Sequence, residues 1–568
     1  METKKYEKIF DDNDITISIQ NEKISICSES HDEINIILIV QKQVKVIEPE
    51  VQTFEYHTLL LKNGDSGFEE IILSAEEVIC CCDKTLKKRF GCKAVGKNSQ
   101  LICRILQESC SLAEEVEVYN FNGWGGDVGK RYFIYGNKKI TSQGIESIEN
   151  RIGTAAHHVD ISVQEACSFI NENYLKILNN QLYAHIFLCY SVAANIHQLI
   201  RDIGGSVDFM LYICGETGTG KTSTTFPMLN PFDASNCSIG DSYASVMNIV
   251  HQNHCSVTIL DDVKSRNNKQ CVKILDSLSR IAGDKTTDLK RKCGKKVSSV
   301  ALHNLIAATA EVEPPLQTSS FPRLLVLNFD RNTVNSENLK QMEINIGEFK
   351  EKTVAFILYF VEDCLKDPAW SERVKKEFEQ ECKILRDSIN CKLHGRYYCV
   401  LAWLLVIWRN IKEFFSSHGC DVSEANFEKE LKEMIVAQHK KYSEKDPAKM
   451  YCSALHMLME NGELKCVKDE NIKNCTHFDV IVKGGDLQVK TKTVYQRIKR
   501  YYEERDIDFF WKETYIRNEL DRAGLIRVYS GGKTRTTSER KVNGLSFSFI
   551  SIYQHKLTEF LEEDNENG

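Results

Sequence analysis

The chain has little of what a membrane or secreted protein needs. Its longest apolar block in 568 residues runs only from Tyr397 to Trp408, well short of the ~20 residues of a spanning helix. The first residues, METKKYEKIFDDND, contain no apolar signal core. No two of the 22 cysteines have the CxxC spacing favoured by structural zinc, and Cys80-Cys81-Cys82 is too tight to chelate one ion well. His251, His254 and Cys255 look metal-like, but at the entry to an apolar run they read as polar residues at a helix end. Together these absences predict a cytoplasmic chain with reduced thiols and no membrane partner. Positive charge is not in excess either. With 73 Lys and Arg against 80 Asp and Glu, the net charge is −7, which excludes a wholly basic nucleic-acid coat but allows local basic surfaces. At 42% hydrophobic and 27% charged, the chain is globular in composition and long enough for about three or four domains.

What is present centres on Leu211 to Thr222, LYICGETGTGKT. The segment fits GxxxxGK[ST], the loop that cradles phosphates with inward-turned backbone N–H groups. An apolar run, Val207 to Cys214, predicts a buried strand before it, and TSTTF a helix after it. The helix N-terminus adds its positive end toward an anion. Gly215, Glu216, Thr217, Gly218, Thr219, Gly220, Lys221, Thr222 and Ser223 are therefore the candidate nucleotide-binding residues, with ATP and Mg²⁺ as cofactors. Lys221 would reach the β and γ phosphates and Thr222 would hold Mg²⁺. Only 8 prolines occur in the chain, but Pro227 and Pro231 follow at once and predict a short helix with a loop by Asn230.

About 40 residues after Lys221, the run SVTILDDV ends in two acids. Asp261 suits Mg²⁺ through its water shell, and Asp262 is the candidate to orient or deprotonate the attacking water, although glutamate is commoner there. A helix predicted over Lys269 to Ala282 leads into GDKTTDLKRKCGKK, which carries six basic and two acidic residues. Lys285, Lys290, Arg291, Lys292, Lys295 and Lys296 would suit a hairpin facing a phosphate backbone. HNLIAATAE reads as a third buried strand, with Thr309 the first and Glu311 the second candidate to sense the γ phosphate. After the polar turn TSSFPR, Arg323 reads either as an arginine that leaves its own subunit to neutralise charge at a neighbour's nucleotide or as a surface arginine paired with a local acid.

The remaining segments are simpler. Residues 1 to about 110 alternate β-like runs with charged turns, and predict a small mixed or β-rich domain. A helix is expected over Ser99 to Ala113, and GWGG reads as a turn with Trp124 as a core anchor.

In order, the GW-containing β segment, GETGTGKT, ILDD, the basic GDKTTDLKRK stretch, TAE and SFPR resemble the helicase-like AAA+ ATPases of phages and mobile genetic elements. That family includes the MCM-like Cch and Rep replication helicases of staphylococcal cassette and pathogenicity-island elements. The resemblance covers roughly residues 85 to 555 and is densest from 205 to 330. It implies that the basic stretch is a DNA-contacting hairpin, Thr309 and Glu311 lie on the sensor strand, and Arg323 is the finger. Asp262 in place of Glu, and Lys-Thr-Thr-Asp in place of a smaller, glycine-richer loop, depart from the pattern.

From Glu348 to about Ala454 the pattern is helical with wide apolar faces, the place of a lid in AAA+ motors, and Arg396 is a candidate second sensor. Near the end, two helices, LIRVY, a basic loop and LSFSFISIY give the order of a winged helix. Between Lys490 and Lys541 there are 14 basic and 8 acidic residues, an excess that favours a phosphate-facing surface with Lys533, Arg535, Arg540 and Lys541 on the wing.

The expected class is thus α/β: a mixed β-rich N-terminal domain (1–155), a P-loop AAA+-type core (156–345), a helical lid (346–462), a winged helix (463–560) and an acidic tail (561–568). The expected activity is ATP hydrolysis coupled to DNA unwinding or translocation, in replication of a mobile element or phage. The partners are single-stranded DNA inside a ring, duplex DNA at the winged helix, and further copies of the chain in a homo-oligomer, expected as a hexamer. The alternative is a nucleotide-switched DNA-binding regulator that hydrolyses slowly and does not translocate.

Overall fold

The computed structural model describes residues 15–562 except 21–22, 29–33, 50, 66–67, 153–160, 239, 264–268, 285–301, 315, 317, 390–392, 423–425, 444–445, 506, 508, 510 and 530–535. The described residues form a mixed α/β protein with five sheets.

At the N-terminal end, two apolar runs separated in the sequence by charged residues form one continuous strand, Ile36–Ile47. It pairs antiparallel with Gln52–Lys62 and parallel with Glu114–Tyr119. The helix Ser99–Leu112 places Ile102 and Leu106 on the stripe that meets Ile36, Leu38 and Val40. GWGG is not a simple turn: Gly123–Gly125 is a short strand of a separate four-stranded meander. Trp124 is the anchor expected, with its ring edge-on to Phe133 at 5.2 Å and its Nε1 donating to the Asn195 carbonyl at 2.6 Å. Asn195 lies on the helix Gln181–Asp202, which is buried on nearly every side. A helix apolar all round belongs in a core, and this one carries the meander on one flank and the central sheet on the other.

The central sheet is wholly parallel. Its order is Cys237–Ser238, Val257–Val263, Leu305–Ala310, Met210–Gly215, Leu324–Phe329. Both faces are covered, which is why these strands read as unbroken apolar runs rather than alternating ones. Leu211, Ile213, Ile259, Ala307 and Leu325 face the buried helix. Met210, Tyr212, Leu260, Ile306 and Ala308 face the helices Tyr243–Gln252 and Lys269–Asp284. The first of the five strands in sequence lies between the fourth and the fifth, so the chain changes direction across the sheet beside it. Open parallel sheets bind ligands at such a point, outside the carboxyl ends of the strands.

Five long helices follow: Ser336–Ile344, Ile346–Lys366, Trp370–Ser388, Gly395–Ser417 and Phe427–Ser443. The block Tyr397 to Trp408 is the buried middle of one of them, and among the described residues no helix is long and apolar enough to cross a membrane. In the C-terminal part, Pro447–Glu460, Thr491–Glu503 and Glu513–Arg522 pack through Tyr451, Leu455, Val494, Ile498, Ile516 and Leu520 onto a five-stranded sheet. Two details differ from the sequence reading. LIRVY is not a regular strand: it meets Leu545–Tyr553 through a bridge of Ile526 to Ile552 and backbone bonds of Leu525 and Arg527. Conversely, Val480–Lys483 and Asp486–Lys490 form an unforeseen hairpin across Gly484-Gly485, although a Gly-Gly pair between apolar runs is itself a hairpin signal.

Candidate functional site: a glycine-rich loop at the carboxyl edge of a parallel sheet

The strand Met210–Gly215 ends where the glycine-rich loop begins, and the loop ends on the helix Lys221–Leu229. Two glycines are needed here for different reasons. Gly215 runs so close to the neighbouring strand that a Cβ would lie 2.1 Å from the Phe329 carbonyl oxygen. Gly220, the helix N-cap, has φ +78°, a conformation that only glycine adopts at no cost. The helix is short as expected. Pro227 falls inside it, and the helix closes at Asn230.

Lys221 is buried, and its Nζ donates to the carbonyls of Gly215 and Glu216, both at 2.6 Å. Burial pulls its pKa down, against the neighbouring negative charges, of which Glu311 is the strongest, followed by Cys214, Asp261 and Asp262. Thr222 and Ser223 are exposed at the first turn of the helix. The Thr222 hydroxyl lies 3.5 Å from Asp261 Oδ1.

The two acids lie on a β-bulge. Leu260 pairs with Ala308 but Val263 pairs with Ala310, so one extra residue is accommodated at Asp261-Asp262. Asp262 takes φ +66°, a left-handed conformation that costs an aspartate about 1–2 kcal/mol. Bulges re-aim side chains beside functional sites, and this one is pinned from the next strand. The buried Thr309 hydroxyl donates to Asp261 Oδ1 and accepts from the Asp262 N–H at 3.1 Å. Thr309 therefore holds the Asp261 carboxylate and the backbone of Asp262. The other candidate on that strand, Glu311, takes a place that sequence reasoning did not anticipate. Its Oε1 accepts from the Thr217 hydroxyl at 2.5 Å, tying the glycine-rich loop to the strand beside it. A cavity of about 510 Å³ opens next to the loop, lined by Gly215, Glu216, Thr219, Glu311 and the turn 328–332.

This donor set fits a nucleoside triphosphate with Mg²⁺. A lysine and a helix N-terminus would meet the phosphates, while a hydroxyl and a carboxylate would supply the few hard oxygen ligands that Mg²⁺ takes from protein when it keeps waters and phosphates. Among the described residues no group of three or more His, Cys, Asp or Glu could hold a metal by itself. That includes His251, His254 and Cys255. Cys255 is buried, which pushes its thiol up to about 12, and the His254 ring packs on His303 at 5.0 Å.

Arg323 is not brought to this loop. The register sets Leu324 opposite Met210 and Phe329 opposite Gly215, so Arg323 precedes the amino end of its strand, its backbone about 20 Å from the loop at ~3.3 Å per residue. Arg396, at the start of the helix Gly395–Ser417, is also on that far side, where its Nη1 donates to the Gly283 carbonyl. Of the expected DNA contacts, Lys285, Lys290, Arg291, Lys292, Lys295, Lys296, Lys533 and Arg535 lie outside the described residues. Arg540 pairs with Asp469 at 2.5 Å and donates to Gln488 at 3.1 Å, whereas Lys541 is exposed.

No protein-family model matches the chain, and no curated protein does. Solved structures do. A Cch protein of SCCmec type IV, described as an active helicase, matches at TM-score 0.55 and 12% identity over 95% of this chain and 98% of its own. The JCV helicase bound to a small molecule aligns over 40% of this chain and 66% of its own, at TM-score 0.26 and 11% identity. The first likeness spans nearly the whole chain and shows that it shares the fold of that helicase, the fold expected from the ordered motifs.

Proposed function

We propose that the chain is an ATP-dependent DNA helicase or translocase. In this reading residues 156–345 form a P-loop AAA+ core, a helical lid and a winged helix follow, and the subunits work as a ring, expected to be a hexamer, in replicating a mobile element or phage. The observation that carries the proposal is the division of the candidate site. Lys221, Thr222, Asp261, Asp262 and Thr309 gather at the carboxyl edge of the sheet, while Arg323 stands at the opposite edge. An arginine with that role has to serve another subunit, and a head-to-tail interface repeated to closure makes a ring.

When bound, ATP with Mg²⁺ supplies the transferable γ-phosphoryl group and neutralises charge between the phosphates. This chain's residues do the rest. Lys221 gives a fixed cation, and Thr222 and Asp261 present oxygen ligands to the metal. Asp262 orients the attacking water and takes its proton, and Thr309 keeps both acids aimed. Arg323 of one subunit stabilises charge at the loop of the next. Sharing a fold with an active helicase supports the motor reading.

The test is ATP turnover with and without single-stranded DNA, beside strand displacement on a forked substrate. The motor reading expects DNA to stimulate turnover and the strand to be displaced. Slow turnover indifferent to DNA, with no displacement, would leave the nucleotide-switched regulator instead.

A further inference from the structure

At the far edge of the sheet stands the first residue of the basic GDKTTDLKRK stretch. The helix Lys269–Asp284 brings Gly283 against Arg323, so closely that a Cβ there would lie 2.6 Å from the arginine Cγ and Cδ and 2.9 Å from Nε. The Gly283 carbonyl accepts from Arg396 Nη1. His394, which caps the Arg396 helix through Nδ1, has its pKa lowered by burial first and then by the charges of Arg396, His439 and Arg323. One buried glycine is therefore in contact with Arg323 and with Arg396.

Nothing in the backbone of Gly283 calls for glycine. Its φ is not positive, it is helical, and alanine is favoured over glycine in helices by about 1 kcal/mol. What glycine supplies is space along the stem of Arg323. We infer that Gly283 is a positioning residue for the trans-acting arginine: its missing side chain is the seat along which Arg323 runs toward the neighbouring subunit, and its carbonyl fixes Arg396 beside it. The inference rests on the reading of Arg323 as a finger. It gives a separate role to the first residue of the basic GDKTTDLKRK stretch, 40 residues before the arginine it places.

The test compares Gly283→Ala, Arg323→Ala and the double variant as full-length protein, by DNA-stimulated ATP turnover, affinity for a fluorescent ATP analogue, and thermal melting. A finger is worth on the order of 10³-fold, and misplacing a group by about 1 Å costs up to about 10²-fold. Gly283→Ala is therefore expected to lose about 10- to 100-fold in turnover, with unchanged nucleotide affinity and a melting temperature equal to or above that of the parent. The double variant should be no worse than Arg323→Ala, because the side chain that the new Cβ displaces is gone. In mixtures, Gly283→Ala should regain turnover from Lys221→Ala subunits, as a finger defect does. If Gly283→Ala stays within twofold of the parent while Arg323→Ala fails, the seat is refuted and the finger stands. If Arg323→Ala itself keeps full turnover, the finger reading falls and the seat with it. A lowered melting temperature or lost nucleotide affinity in Gly283→Ala would show ordinary packing and overturn the proposal.

Discussion

Thr309→Val is the sharpest probe of the acidic bulge. Valine keeps the shape of threonine and removes only the hydroxyl, which is buried and makes two bonds, one to Asp261 Oδ1 and one from the Asp262 N–H. A hydrogen bond to a charged group contributes about 1.5–3 kcal/mol, and a buried N–H left without a partner costs about 1–3 kcal/mol. Allowing for overlap, since both bonds run through one atom, about 2–4 kcal/mol is at stake. If that loss falls on the transition state, turnover drops about 30- to 900-fold at 1.36 kcal/mol per decade. Nucleotide affinity should move little, because Lys221 and the loop are untouched. Asp262 already sits at φ +66°, and without the threonine that restrains the bulge its carboxylate should lose its aim first. Thr309→Ser, which restores the hydroxyl, should recover most of the rate. Steady-state kinetics with a parallel affinity measurement decide the matter. A Thr309→Val enzyme within twofold of the parent would refute the role given to this hydroxyl.

Gly215→Ala should destabilise the protein by at least about 1–3 kcal/mol, as overpacking of a close-packed site does, because the contact is with the backbone oxygen of Phe329 at 2.1 Å and neither strand has room to give. Gly218→Ala, which meets nothing within 4 Å but has φ +83°, should cost only about 1–2 kcal/mol. Comparing their denaturant midpoints checks the contrast, and equal losses would contradict it. His303 has its pKa lowered to about 4, by burial first and then by the charges of Arg201, Arg131 and His251. Its folded pKa lies below the unfolded value, so the unfolded chain binds more protons; its contribution is full above about pH 6.5 and is lost as pH falls toward 4, by at most about 1.4 kcal/mol per unit. Denaturation at pH 7.5, 6 and 5 should show this slope flattened in His303→Gln, and an unchanged slope would assign the pH dependence to other groups.

Much of the candidate site was legible because its signals are local. GETGTGKT needs nothing beyond eight adjacent residues, and an apolar run ending in Asp-Asp announces a strand with acids at its tip. Thr309 could be chosen from its place at the end of a third apolar run. What those residues do to one another was not legible. The bulge that turns Asp262, and the threonine that pins it, depend on pairing between strands 48 residues apart, which no local pattern encodes. Arg323 was identifiable as a candidate, but its separation from the loop follows from strand order and register. Gly283 was legible only as the residue opening the basic stretch after a helix expected to end at Ala282; the helix runs on to Asp284, and the contact with Arg323 depends on packing between distant segments. LIRVY failed as a regular strand because β-propensity in a short run is decided by its partners, and it meets its neighbour through isolated bridges rather than a continuous ladder.

The central claim is that one subunit's loop and the next subunit's Arg323 make a single site. The most direct measurement is ATP turnover of Lys221→Ala and Arg323→Ala subunits, alone and mixed in equal amounts. Each variant alone should be inactive. Random assembly through a head-to-tail interface places an intact loop beside an intact arginine at about a quarter of the interfaces, so the mixture should recover about that fraction of parental turnover. A mixture as inactive as its components, with the subunits shown to co-assemble, would contradict the divided site.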